Sequence, residues 1–599
     1  MSDATVETLM QQVLDAPNDV EVRRVLADLL TERGDPRGEY IQLAIALADM
    51  DEVDPRRREM EDAKDSLEAR HNFAWSAALR RVGEFNSTVP FLGGERFSFA
   101  GGFIEQLEGP ADGTVQWVDE AARVAPIRSL ALQGVTSAHM RELGAQKSLA
   151  HIRKLDILPH AAEFSSFERP LAQLFASPNI DRLETLRLGG DISPAMIEAL
   201  AGARALDGLK ELELASPIGP VGLARLEAAG KLSNLSHLRL HGCALGVEGL
   251  AIIGRLPSLR HLEITNDSLK RKGAELLAGS KSLSKLRTLS LNDCALGDRG
   301  VFAIVTSGVF GELTALDISR GNGLNGTKIG PALDAFALPS LVRLGLGSSN
   351  LRSEGAHALA RNERLGNIRQ LDLSENRLEL QGASALSQAR GLPKLETLDL
   401  RRNGLVRRCL AEIIDGPFME NVRHLDISDN KCGSIGGKAF AAWPGVPRLR
   451  TLRISHNKMG ILGLRPILER AEALEVLDVS GNEFGAGDLE ILSELPNRAV
   501  RHLTSYGAHP NAIRSFLRSN APKSIERLHL HGLYANDECA ILLAELPALG
   551  WLSLDHPTPV GRGPRILRER FGPFLDVSSS HPEWHDHWDE KSERGGANA

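Results

Sequence analysis

The 599-residue sequence predicts an α/β solenoid, a curved parallel sheet on a concave face with helices on the convex face, preceded by a small all-α domain. Three observations predict it. A phrase of the form L-x-L recurs along most of the chain, an Asn or Cys follows many of these phrases three residues after the second aliphatic, and a helix-period segment fills the rest of each unit. The stretch from Ile368 to Leu405 shows all three: LDLSEN at Leu371 returns as LDLRRN at Leu398, 27 residues later.

The first segment is helical. In VETLMQQVL, Val6, Leu9, Met10 and Val13 share one stripe, and Val22, Val25, Leu26, Leu29 and Leu30 form the next before a break at Gly34-Asp35-Pro36. A third helix is expected from about Pro36 to Met50 and a charged fourth from about Pro55 to Ala78. FSFAGGFIEQLEG (Phe97 to Gly109) reads as an aromatic hairpin suited to cover the exposed edge of the first repeat.

The repeats then run on markers Leu130, Leu155, Leu186, Leu212, Leu238, Leu262, Leu289, Leu316, Leu344, Leu371, Leu398, Leu425, Leu452, Leu477, Leu503, Leu528 and Leu552. Every step from Leu344 to Leu452 is 27 residues, and the longest, Leu155 to Leu186, is 31. In a unit such as Leu395-Glu396-Thr397-Leu398-Asp399-Leu400, Leu398 and Leu400 share a strand face by period-two alternation, while Leu395 tucks in from the preceding turn. Cys243, Cys294, Asn376, Asn403, Asn430, Asn457 and Asn482 follow the strands, where a side chain can bond a tight turn whose main-chain groups would otherwise be buried unpaired. Val135, Leu533 and Pro557 replace that residue near the ends. Segments such as GASALSQARGLPKL (Gly382 to Leu395) put Ala and Leu at helical spacing. PRILRERFGPFLDV (Pro564 to Val577) closes the stack with a helix and a strand, and the polar remainder is expected to be disordered.

Strand plus helix in about 27 residues, with a G-x-x-A-L helical half, resembles the leucine-rich repeat of the ribonuclease-inhibitor-like subtype. VLADLLTERGDPRGEYIQL (Val25 to Leu43) resembles the bacterial repeat-companion domain that precedes such repeats, with Leu29 where Trp is common. The division is then 1–82 for the helical domain, 83–126 for linker and capping hairpin, 127–577 for a solenoid of about 17 repeats, and 578–599 for the tail.

Composition narrows the function. A net charge of -8 on so long a chain gives no global pull toward nucleic acid or an anionic membrane. No apolar stretch approaches the ~20 residues that span a bilayer. The amino terminus lacks a secretory pattern, and five scattered cysteines without a CxxC argue against a disulfide framework, so a reduced, cytoplasmic setting is expected. HPEWHDHWDE (His581 to Glu590) is metal-like in composition but lies in the tail, and reads as solvated chain. CGSIGGKAF (Cys432 to Phe440) and GLNGTKIG (Gly323 to Gly330) fail the phosphate-loop spacing, and the glycine pair Gly436-Gly437 reads as a turn into a helix. No catalytic residue, metal or cofactor is assigned.

The residue between paired leucines points outward, so that position maps a surface row: Asp317, Gly345, Asp372, Asp399, Asp426, Arg453 and Asp478. Gln370, Thr397, His424, Thr451 and Val476 run beside it on one flank, and Ser374, Arg401, Ser428, Ser455 and Ser480 on the other. A broken basic row (Arg260, Arg287, Arg369, Arg423, Arg450, Arg501), interrupted by Glu396 and Glu475, is expected to form local salt bridges. The expectation is non-catalytic binding of another protein with a basic surface, through Asp317, Asp372, Asp399, Arg401, His424, Asp426, Arg453 and Asp478. Asp372 and Asp399 recur without being required for packing. The alternatives are a GTPase regulator, since Ran GTPase-activating proteins resemble this subtype, and a scaffold. The sequence leaves the oligomeric state open.

Overall fold

The computed structural model describes residues 3–50, 54, 56–82, 96–159, 168–180, 182–482, 500–506, 510–519, 521–531, 537–554, 562–571 and 575–576. Four helices open the chain: α1 (Asp3–Asp15), α2 (Val20–Glu32), α3 (Pro36–Asp49) and α4 (Arg57–Trp75). Asp19 accepts the Glu21 and Val22 N–H groups at the start of α2, and Asp35 accepts the Arg37 N–H where Pro36 opens α3. Val13, Leu26, Ala27, Leu30 and Ile41 bury a common stripe with Phe103.

One expected member of that stripe is displaced. Val25 is 56% exposed, and Arg23 turns inward instead. The burial of Arg23 is tolerable because its guanidinium pairs with Glu105 and donates to the Pro17 carbonyl at 2.7 Å.

Strand β1 (Arg96–Ala100) pairs antiparallel with β2 (Phe103–Pro110), and β2 pairs parallel with Ser129–Val135. Onward, each strand pairs in parallel with the next in chain order, ending at Leu575–Asp576, to give 20 strands among the described residues. The marker leucines meet one to one, as in Leu344, Leu371, Leu398, Leu425, Leu452 and Leu477. The long step from Leu155 to Leu186 keeps this register as well, because its additional residues fall between strands.

From Ser129–Val135 to Thr451–Arg453, each strand is followed by a helix on the other side of the core. Glu379–Leu386 buries Gly382, Ala383, Ala385 and Leu386, and Arg407–Ile414 buries Cys409, Leu410, Ile413 and Ile414. Gly436 and Gly437 lie inside the helix Gly433–Ala441, not at its entry. A Cβ on Gly437 would stand 2.6 Å from the Gly463 carbonyl oxygen of the next helix, so the glycine serves helix–helix approach.

A single unit could not bury its own apolar face, and stacking solves this. One continuous cluster of buried side chains runs from Tyr40 and Phe97 to Phe571. Among the described residues, no helix is long and apolar enough to cross a membrane. The motif at His581 to Glu590, the tail 578–599, Leu533 and Pro557 lie outside the described residues.

Candidate binding face

The face is built on a turn that repeats after each strand. The residue before the turn asparagine has a left-handed backbone: φ is 56° at Glu375, 52° at Arg402, 54° at Asp429 and 52° at His456. For a side chain with a Cβ this costs roughly 1–2 kcal/mol. The asparagine offsets it. Asn403 Oδ1 accepts the Asn376 N–H at 3.0 Å and the Leu378 N–H at 3.4 Å, while its Nδ2 donates to the Leu373, Leu400 and Arg401 carbonyls at 2.8, 3.0 and 3.1 Å. Asn376, Asn430, Asn457 and Asn482 make corresponding bonds, so each turn is tied to its neighbours.

Cys243 and Cys294 hold the same place by sulfhydryl contacts to the Leu214 carbonyl at 3.3 Å and the Ile264 carbonyl at 3.2 Å. Burial pushes their thiols up to about 11 and about 12, consistent with a purely structural use. Three ladder members escape a search for Asn or Cys at fixed spacing. Asn322 sits one residue late and donates to the Leu291 carbonyl at 2.8 Å, Asp267 accepts the Leu245 N–H at 2.9 Å, and Ser349 donates to the Gly347 carbonyl at 3.3 Å. An inserted residue hides the first, Asp267 supplies the acceptor oxygen from another residue type, and Ser349 supplies only the donor.

This ladder holds the concave rows in register. Asp372, Asp399, Asp426, Arg453 and Asp478 stand opposite one another on consecutive strands, while Gly345 separates them from Asp317. The earlier repeats carry a different pattern that the sequence reading passed over. There Asp156, Arg187, Glu213, Arg239 and Glu263 alternate in sign, with Arg187–Glu213 at 3.1 Å and Arg239–Glu263 at 3.4 Å. One half of the row therefore neutralises itself and the other concentrates carboxylates.

Two expectations need correction. Asp372 and Asp399 are not idle in the fold, because each caps its own strand exit: Asp372 Oδ1 accepts the Ser374 N–H at 2.7 Å and Asp399 Oδ1 accepts the Arg401 N–H at 2.9 Å. Asp317, Asp426 and Asp478 do the same for Ser319, Ser428 and Ser480. Asp399 is also only 7% exposed, walled in by its neighbours rather than projecting from the face. Arg401 Nε lies 3.3 Å from its Oδ2.

Burial raises the pKa of Asp372, Asp399 and Asp478 above the ordinary carboxylate range, and for Asp399 the flanking Asp426 and Asp372 add to this. His424 Nδ1 lies 3.0 Å from Thr451 Oγ1 on the next strand. At the outer edge Arg402 bridges Glu375 at 3.0 Å and Asp429 at 3.2 Å. On the strand-entry rim Arg369 pairs with Glu396, and Arg450 lies 3.9 Å from Glu475.

A family model described as Leucine Rich repeat matches residues 282–305, 367–387 and 419–441, each containing one marker leucine and its strand. The crystal structure of the Rad7 and Elc1 complex in yeast is similar at 17% sequence identity and a TM-score of 0.36, covering 63% of this chain and 84% of that chain. No curated protein matches.

Proposed function

We propose that the protein is a non-catalytic interaction module that binds a partner protein through its concave face, with Asp372 and Asp426 meeting a basic surface and the enclosed Asp399 adding its charge from between them. The observation that carries this reading is a charge the fold does not need. Each Asp caps a turn with one oxygen, and an asparagine amide would supply the same acceptor without ionising. Carboxylates aligned on adjacent strands instead repel and lose solvation, at a cost in stability. A cationic partner would relieve that cost on docking, which is a physical use for the charge.

Arg401 and His424 lie beside these carboxylates and would add hydrogen bonds, while Asp317, Arg453 and Asp478 would extend the contact. The rows are held by the turn ladder before docking, so little ordering entropy is lost. The five cysteines are all buried and none forms a disulfide, which supports a reducing, cytoplasmic setting. The helix in each 27-residue unit favours the ribonuclease-inhibitor-like subtype, with helices 1–82 as a repeat-companion domain.

The test compares wild type with the triple variant Asp372→Asn, Asp399→Asn and Asp426→Asn, which keeps the turn bonds. Partners captured from the native cell are identified by cross-linking mass spectrometry, and their affinities are measured. The expected loss is at least about tenfold, equivalent to ~1.4 kcal/mol. Undiminished affinity in the folded variant refutes the acidic stripe.

A further inference from the structure

The N-terminal helices touch the solenoid at both of its ends. At the first strands, Arg23 pairs with Glu105, Asn18 Oδ1 accepts from Arg128 Nε at 2.6 Å, and Asn18 Nδ2 donates to the His151 carbonyl at 3.5 Å. Tyr40 and Trp75 meet edge to face at 5.4 Å, and both approach Phe99 of β1. A buried ion pair and an aromatic cluster make this a firm attachment.

At the last strands, α4 meets residues more than four hundred positions away. Ser66 Oγ lies 2.8 Å from Glu526 Oε1 and accepts from Arg501 Nη1 at 3.0 Å. Arg70 Nε is 3.4 Å from Glu526, Arg527 Nη2 is 3.5 Å from Asp65, and Asn72 Nδ2 donates to the Gly550 carbonyl at 3.2 Å. These partners lie on the strand-entry rim, at or next to the position two residues before each marker leucine. From Arg128 to Glu526 that position carries a side chain in every repeat, and at Gly550 alone it carries none. A Cβ there would overlap the Ala69 carbonyl of α4, so glycine is what lets the helix lie on the rim.

We infer that the N-terminal helical unit is an intramolecular clasp, hinged on the first strands and latched on the last, which closes the solenoid into a ring. The asymmetry of the two attachments sets its behaviour. The hinge is aromatic and carries a buried ion pair, whereas the latch is polar: Ser66, Asn72 and Glu526 are buried in it, and its more exposed pairs, Arg70–Glu526 and Arg527–Asp65, are the part that weakens with salt. Closing the ring fixes the curvature of the strands between, and with it the spacing of the concave rows. It also makes a partner enter along the ring axis rather than through an open mouth.

Two experiments on the full chain test the clasp. In an Asp65→Cys, Arg527→Cys variant, at two partly exposed positions that face each other across the latch, a short bis-maleimide is expected to yield an intramolecular cross-link in the monomer, identified by peptide mapping. The native cysteines are all buried, so they do not compete. A folded variant that gives no cross-link, or only cross-linked dimers, overturns the proposal. In Gly550→Leu, hydrogen exchange across residues 57–75 is expected to rise at least tenfold while the strands from 370 to 453 stay protected, and the maximum dimension by X-ray scattering to increase. Unchanged exchange in α4 and unchanged dimension likewise overturn it.

Discussion

Replacing Asn403 by alanine isolates the turn ladder. The side chain is fully buried and makes five hydrogen bonds. The Leu400 and Arg401 carbonyls keep other donors, Asn430 Nδ2 at 3.1 Å and the Glu375 N–H at 2.8 Å. The Asn376 and Leu378 N–H groups and the Leu373 carbonyl lose their side-chain partner. A buried polar group left unsatisfied costs roughly 1–3 kcal/mol. Three such groups, with partial relaxation, give an expected loss of about 3–5 kcal/mol. Because repeats couple through nearest neighbours, the loss should be local. Hydrogen exchange is expected to accelerate most in the strands Gln370–Asp372, Thr397–Asp399 and His424–Asp426, and urea unfolding should shift accordingly. Arg402→Ala is the control: Arg402 is half-exposed and its two ion pairs are worth up to ~1 kcal/mol together. If Asn403→Ala costs no more than Arg402→Ala and leaves those strands protected, the ladder does not hold the turns.

The acidic row and the thiols supply two further predictions. Since the folded-state pKa values of Asp372 and Asp399 are raised, the folded protein holds those protons more tightly than the unfolded chain. Their penalty is therefore full above the folded pKa and relieved as pH falls through it toward the unfolded value. Asp372→Asn, Asp399→Asn should melt above wild type at neutral pH, with the gap narrowing in mild acid; a variant less stable at neutral pH contradicts the strain. Cys243, Cys294 and Cys432 should resist alkylation in the native protein, since burial lifts their thiols to about 11, about 12 and about 12, and should react at the unfolding rate; rapid labelling under native conditions contradicts a structural role.

Much of the fold was legible in the sequence because its cause is local and periodic. Leu371 and Leu398 recur at a constant step since each strand must meet the next in register, and the pairing of Leu371 with Leu398 follows that rule. Departures arose where two residue types serve one role or the spacing slips. Asn322 lies one position late, and Asp267 supplies the oxygen expected of asparagine. Val25 and Arg23 exchanged places because a distant carboxylate, Glu105, makes an inward arginine tolerable, and no helical period contains that fact.

Read one repeat at a time, the sequence determined the strand–helix unit, its stacking direction and the identity of the residues facing the concave side. Those properties follow from alternation and helical spacing within some thirty residues. Tertiary structure alone decided which of those residues are enclosed, as with Asp399 between Asp372 and Asp426, and which carboxylates neutralise one another, as in the alternating row from Asp156 to Glu263. It also decided that Ser66 meets Glu526. Such contacts depend on curvature summed over the whole sheet, and a small rotation per repeat leaves no mark on any single repeat's sequence.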